Sequence, residues 1–314
     1  MAAGACGDGD ERRGTDAEGV RPLTEWLQLL VSGVTLGSIF SLVALGFVTI
    51  YRTSKVVNMA QGSFVMLGTM FTYSLLNELG WPFWLSAIVS IVGVIAVGVL
   101  MFQIVLKPML KAPPAAMILL TIAISLLIEN LALLKWGGYG LGIPAFTGET
   151  SIWVKSVAIP PQTLWVLGVT IAVLVALYYL NNRTLVGKMM TATATRPNAA
   201  SLCGISTTLM IIIAFAISAG IGAIGGVSVG SVIPIAFTTG GLIGLNGFVA
   251  AILGGWGSST GAVVGGFTLG ILEALFTGIV PAGYKDALAF VLLIIVVYFR
   301  PSGLLGTPQV EGEE

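Results

Sequence analysis

Apolar side chains fill this sequence in long blocks rather than in alternation. Stretches dominated by Leu, Ile, Val, Ala, Phe and Gly cover 26–50, 59–76, 83–106, 115–134, 164–180, 209–232, 247–280 and 287–299. An α-helix rises about 1.5 Å per residue, so about 20 apolar residues cross a bilayer core of ~30 Å. Blocks of this length therefore predict membrane-crossing helices. The 247–280 block is too long for one ordinary crossing and carries Gly257 and Ser258, which predicts two tightly linked helices. The expected fold is all-α, a polytopic integral membrane protein with about 8–9 transmembrane helices and one broken or paired segment.

Glycine refines this picture. Four-residue spacings recur late in the chain, as in Gly222, Gly226 and Gly230, Gly257, Gly261 and Gly265, and Gly266 with Gly270. Lipid tails give helices little hydrophobic reason to associate, so close approach through small residues becomes a main source of contact. A tightly packed helix cluster is expected there. Pro234, followed by Gly240 and Gly241, marks a break, and broken helices at depth tend to line polar cavities. Gly33-Val34-Thr35-Leu36-Gly37 also echoes Gly266-Phe267-Thr268-Leu269-Gly270, one copy in each half of the chain.

Charge then narrows the class. Only 9% of the 314 residues are charged and 56% are hydrophobic; a soluble domain carries about 25% charged residues, so a water-soluble globule is excluded. Fourteen bases balance fourteen acids, which leaves no basic excess for nucleic acid. No histidine is present and the two cysteines, Cys6 and Cys203, stand alone. Neither a metal site, a cofactor nor a catalytic pair is expected. Residues 1–24 hold five acids and three bases with few large apolar side chains and read as a disordered acidic tail without signal-peptide features. Residues 25–306 form the transmembrane domain, and 307–314 a C-terminal tail.

Between the tails the charges sort by segment. Arg52, Lys55, Lys107, Lys111, Arg183, Lys188, Arg196 and Arg300 occupy one alternating set of connections with no acid among them. Glu25, Glu78, Lys135, Glu149, Lys155, Lys285 and Asp286 occupy the other. The excess of bases marks the cytoplasmic side, with the C-terminus inside and the N-terminal tail outside.

A strongly polar group within a span costs roughly 2.5–3.5 kcal/mol on insertion scales and requires a partner or a wet cavity. Asn58, Gln61 and Ser63 at the start of the second block, Asn246 at the opening of the seventh, and Glu273 are the candidates for a translocation pathway. Glu273, flanked by Leu272 and Ala274, reads first as a helix–helix hydrogen bond or ion pair, with Lys285 as a partner, ahead of a substrate contact. Glu129, late in its block, reads as snorkelling to the interface. Residues 181–205 form the longest basic connection, with Arg196-Pro197 to start a short surface helix and Gly204 to stop it.

Taken together, these stretches resemble permease subunits of branched-chain amino acid ABC importers, the LivH type. The resemblance runs from about Leu29 to Gly306. It is carried by Gly33 through Ser38, Val57 through Gly62, Gly187-Lys188 with Ala199 through Ile205, Phe248 through Ser258, Gly261 through Gly266, Leu272 through Leu275, Tyr284 through Asp286, and Phe299 through Gly306. It implies pairing with a second related permease, two cytoplasmic ATPase subunits, an extracytoplasmic solute-binding protein and a place in the bacterial inner membrane. It also implies that 181–205 is a coupling segment, with Gly187, Lys188, Arg196, Asn198, Ala199, Ala200 and Gly204 engaging an ATPase. Gln61 and Ser63 stand where many relatives have His and an acid, and Thr191 where a base is usual. These departures leave urea-like amides and aromatic acids open as solutes beside branched-chain amino acids.

The chain lacks a Gly-x4-Gly-Lys-[Ser/Thr] phosphate loop, so ATP hydrolysis is expected on other subunits and no enzymatic role here. A self-sufficient secondary transporter or channel is the competing class. It calls for intramembrane charge pairs, which are scarce.

Overall fold

Helix starts follow the chain's prolines and hydroxyl residues. In a computed structural model, which describes residues 14–110, 112–147, 152–154, 157–280, 284–300 and 302–306, eleven α-helices are found among the described residues. They are α1 (Gly14–Ser54), α2 (Gln61–Asn77), α3 (Phe83–Met101), α4 (Pro114–Trp136), α5 (Pro161–Arg183), α6 (Leu185–Thr195), α7 (Pro197–Leu202), α8 (Thr207–Gly230), α9 (Thr239–Gly254), α10 (Ser259–Thr277) and α11 (Lys285–Phe299). Pro114, Pro161 and Pro197 begin α4, α5 and α7, where a missing N–H costs nothing. Thr184, Ser206 and Ser258 cap α6, α8 and α10 by accepting from the N–H three residues on. A short hairpin, β1 (Ile152–Val154) with β2 (Val157–Ile159), is an addition that hydrophobic blocks did not signal.

Among the described residues six helices are long and apolar enough to cross a membrane, and 239–254 and 287–299 are apolar but shorter. The protein is thus a helical, multi-pass membrane chain. α1 begins at Gly14, inside the stretch expected to be unstructured. Once a helix is nucleated, each further residue adds a hydrogen bond without a new nucleation cost, so composition alone did not set this boundary. Residues 1–13 and 307–314, and the Lys285 side chain, lie outside the described residues.

The interior is organised around α2, which is buried without interruption from Gln61 to Met70. It runs parallel to α4 in a fixed register: Met59 N donates to Thr121 Oγ1 (3.1 Å), Ser63 Oγ bonds Ser125 Oγ (2.7 Å), and Trp136 Nε1 donates to Ser74 Oγ (2.6 Å), each pair 62 residues apart. It also runs parallel to α8, with Gln61 on Ser218 and Thr69 on Gly226, each pair 157 residues apart. α3 packs antiparallel to α8, with Gly98 against Ala219 and Phe102 against Phe215.

The long pairing of α1 with α10 is antiparallel and made by the two echoing glycine segments. Gly37 meets Phe267 and Gly266, and Gly33 meets Ile271 and Gly270. The sequence echo therefore marks two surfaces that face each other. α9 and α10 form the expected tight pair, joined at 255–258, where Gly255 and Gly257 take φ of +109° and +88° that favour glycine. α9 starts earlier than the apolar block implied, at Thr239.

Two helices begin away from the bundle ends. After α1 the chain turns at Lys55 (φ +58°) and doubles back, so Gln61 lies beside Gly46. That is eight residues, or ~12 Å, before the end of α1. The segment 231–238 breaks the path between α8 and α9, as Pro234 suggested, and its Ile235 bridges to Leu141. The first turns of α2 and α9 then overlap, Gly62 facing Gly240 and Gly244.

Candidate functional site

Alternating helix directions gather Arg52, Lys107, Arg183 and Arg300 at one end of the bundle, together with α6 and α7. This basic end holds the predicted coupling segment, which forms two helices rather than one. Val186, Met189 and Met190 of α6 pack with Met210 and Ala214 of α8. Gly187 sits where an added Cβ would meet Asn181 Cα at 2.6 Å, so its absence of a side chain lets α6 fold against the end of α5.

α7 presents outward. Arg196, Asn198, Ala199 and Gly204 are exposed, as is Lys188 on α6, while Gly187 and Ala200 are buried. The first five form a surface another chain can touch, and the last two hold that surface in place. Leu202 was not singled out from sequence, yet it is 89% exposed on α7. A Leu beside a helix stop was the available signal. Gly204 takes φ +81° and ends the elbow, as its place in the sequence predicted.

The five pathway candidates do not form one cluster. Gln61, fully buried, donates from Nε2 to the Ser218 carbonyl (3.1 Å) and accepts from Ser218 Oγ (2.6 Å), which also donates to the Gly46 carbonyl (2.8 Å). It ties α2 and α8 to α1. Ser63 is bonded to Ser125, as described. Asn58 Oδ1 accepts from Ala60 N (3.2 Å), and its buried Nδ2 has no hydrogen-bond partner among the described residues. Asn246 does not open a helix: it lies buried within α9, because the helix starts seven residues earlier.

Glu273 is buried on α10 near the other end of the bundle. Its neighbour Ala274 is level with Gly33 on α1, whereas Gln61 is level with Gly46, ~20 Å farther along that helix. These two sites are separate.

Glu129 turns inward instead of snorkelling. It is 9% exposed, accepts from Ser125 Oγ (3.3 Å) and meets the backbone of Gly241 in the first turn of α9. A carboxylate there faces the partial positive charge of a helix N-terminus. The position was legible after all: Thr121, Ser125 and Glu129 recur at intervals of four and so share one face of α4.

At the opposite end a cavity of about 440 Å³ opens between α1, α5 and the segment after α8. Gln28, Thr35, Gln162, Thr163 and Ser231 supply its polar groups, none of which was among the pathway candidates read from sequence. Thr35 and Thr163 bond each other at 2.9 Å, and Gln162 bonds Ser231.

An apolar helical bundle knitted inside by short polar contacts, with a helical elbow outside its basic end, is the architecture of a multi-pass membrane protein. The profile of the family described as branched-chain amino acid transport system / permease component matches residues 29–297. The chain is 30% identical over 301 residues to the high-affinity branched-chain amino acid transport system permease protein LivH of Escherichia coli K12, covering 91% of this chain and 97% of LivH. It is 31% identical, with the same coverage, to the corresponding protein BraD of Pseudomonas aeruginosa, and 27% identical to a probable LivH of Methanocaldococcus jannaschii, covering 88% and 92%. The chain belongs to this permease family. Among solved structures, PsaBC from Streptococcus pneumoniae in complex with Fab aligns with a TM-score of 0.47 at 13% identity, over 91% of this chain and 95% of that one.

Proposed function

We propose that this chain is one of two permease subunits of an ATP-powered importer in the bacterial inner membrane, carrying branched-chain amino acids. The substrate follows the names of LivH and BraD. The resemblance expects His and an acid where this chain has Gln61 and Ser63, but both side chains are buried and bonded to neighbouring helices. Their difference bears on helix packing before it bears on the solute.

In this reading α1, α2, α3, α4, α5, α8, α9, α10 and α11 lie within the membrane, with the basic end cytoplasmic. An external binding protein delivers solute to the opposite end, where the 440 Å³ cavity lies. Two cytoplasmic ATPases seat on the α6–α7 elbow of this chain and its partner. ATP binding there tilts the elbow, and the Met190–Met210 contact passes that tilt to α8. The observation that carries the proposal is the elbow itself, an exposed helix with Leu202 outward at the basic end.

Cys203 tests it directly, because it is exposed at the end of α7. In a Cys6→Ser chain, a membrane-impermeant maleimide is expected to label Cys203 in inside-out vesicles and not in intact cells. Added ATPase subunits should slow that labelling at least several-fold. Labelling from outside intact cells, or a rate indifferent to the ATPase, would overturn the assignment.

A further inference from the structure

A second feature of the basic end has no part in the proposed transport path. Next to α6 lies a cleft of about 570 Å³. Its wall carries two cations, Arg52 and Lys55, the side-chain amides of Asn181 and Asn182, and the first turn of α10 at Ser259 and Thr260. Arg52 and Lys55 are the formal charges among these groups, and the N-terminus of α10 adds a partial positive charge beside them. No acidic side chain lines the cleft, and among the described residues neither cation has a salt bridge. Lys55 Nζ lies 5.3 Å from the centroid of the Tyr51 ring, which stacks on Trp256 at 4.9 Å. The lysine is thus held on a firm aromatic floor. Two like charges in a partly enclosed space favour an anion between them.

The chain itself supplies one. Leu305 lines the same cleft and is pinned there, with Leu304 N donating to the Leu253 carbonyl (2.9 Å) and Leu305 N to the Gly254 carbonyl (3.0 Å). From Gly306 the sequence continues Thr-Pro-Gln-Val-Glu-Gly-Glu-Glu, three acids without a base. At up to ~3.5 Å per residue, Glu311 can reach ~17 Å and Glu314 ~28 Å from that anchor, enough to enter a cleft whose rim is the anchor itself. A covalent link of at most eight residues also holds these charges at roughly millimolar local concentration.

We infer that the acidic segment 307–314 docks in the Arg52–Lys55 cleft, with the Glu311, Glu313 and Glu314 carboxylates as ligands for its cations. Thr191 and Thr195 of α6 form another wall of the cleft, so the docked segment lies against the elbow. Docking rests on charge and tether alone, while any restraint it places on ATPase coupling rests on the proposed function.

The test uses the full chain in nanodiscs, with Cys6→Ser and Cys203→Ser, carrying Glu313→Cys with Thr195→Cys. A short bismaleimide is expected to join the two. Yield should fall at least threefold in 1 M salt, in Arg52→Gln/Lys55→Gln, and in Glu311→Gln/Glu314→Gln. A pair placed on the outer face of the elbow, Glu313→Cys with Asn198→Cys, should cross-link less. Equal yields for the two pairs, or yields indifferent to both sets of charge removal, would overturn the inference. So would a cross-link seen in phosphatidylcholine nanodiscs and lost in phosphatidylglycerol ones, which would give the cleft to lipid phosphate. No transport step enters the readout, so it can fail while the transport reading stands, and the reverse.

Discussion

Replacing Gly37 by alanine adds one methyl group where α1 and α10 approach closely. The new Cβ would stand 2.8 Å from Phe267 Cα and 3.2 Å from the Gly266 carbonyl oxygen. Carbon atoms pack comfortably at about 3.5–4.0 Å, so the helices must part by roughly 0.7 Å or keep the strain. Overpacking of this kind costs about 1–3 kcal/mol. Alanine also removes glycine's poor helix propensity, worth about 1 kcal/mol in the other direction. Gly225→Ala supplies the control, since its nearest neighbour would be Leu42 Cβ at 3.7 Å, an ordinary contact within another helix. The propensity change is common to both substitutions, so their difference isolates the packing cost, about 1–3 kcal/mol. Because membrane chains commonly unfold irreversibly, the two variants are compared by tryptophan fluorescence melting at one scan rate. Gly37→Ala should melt several degrees below Gly225→Ala. Equal melting, or a more stable Gly37→Ala, would refute the close approach of α1 and α10.

Three further substitutions probe the rest of the molecule. Gln61→Leu removes both bonds to Ser218, and at ~0.6 kcal/mol for each interhelical bond in a membrane should cost about 1–2 kcal/mol; a melting loss no larger than that of Ser38→Ala, whose hydroxyl bonds only its own helix, would argue against that knot. Leu202→Glu should leave melting unchanged, because the side chain is 89% exposed, yet cut ATPase retention on the purified chain at least tenfold; undiminished retention would remove Leu202 from the contact. Gly187→Val forces its side chain into the end of α5, where even a Cβ would meet Asn181 Cα at 2.6 Å, and should speed proteolysis within 184–196, with an unchanged cleavage rate speaking against the packed elbow.

Much of the fold was legible because a bilayer imposes length. Blocks such as 83–106 and 115–134 became α3 with its terminal turns and α4 almost residue for residue. Gly257 and Ser258 correctly divided the long late block. Legibility failed where small and polar residues diluted the apolar signal: Thr239 through Asn246 reads weakly as a span, yet glycine lets it pack against α2 as the start of α9. The short helix α7 could be located from Pro197 and Gly204, but α6 could not, since its partner surface on α8 is distant in sequence. Asn58, Gln61 and Ser63 were recognisable as polar groups needing partners. That Gln61 would find Ser218, 157 residues away, is a tertiary fact no local pattern encodes. Glu129 was misread because its depth was judged from the end of a block, while the four-residue spacing to Ser125 and Thr121 already indicated an inward face.

The pairing of Gly37 with Gly266 also places a demand on synthesis. These residues are 229 positions apart, and at about 5–20 residues per second the second glycine emerges roughly 10–45 s after the first. Throughout that interval α1 resides in the membrane with its glycine groove unfilled. A groove of this kind exposes no unmet backbone polar group, because the helix satisfies its own, so lipid can occupy it at little cost. The early helix can therefore wait for its partner, whereas α2, whose Gln61 amide awaits Ser218, cannot rest in lipid as cheaply until α8 is made.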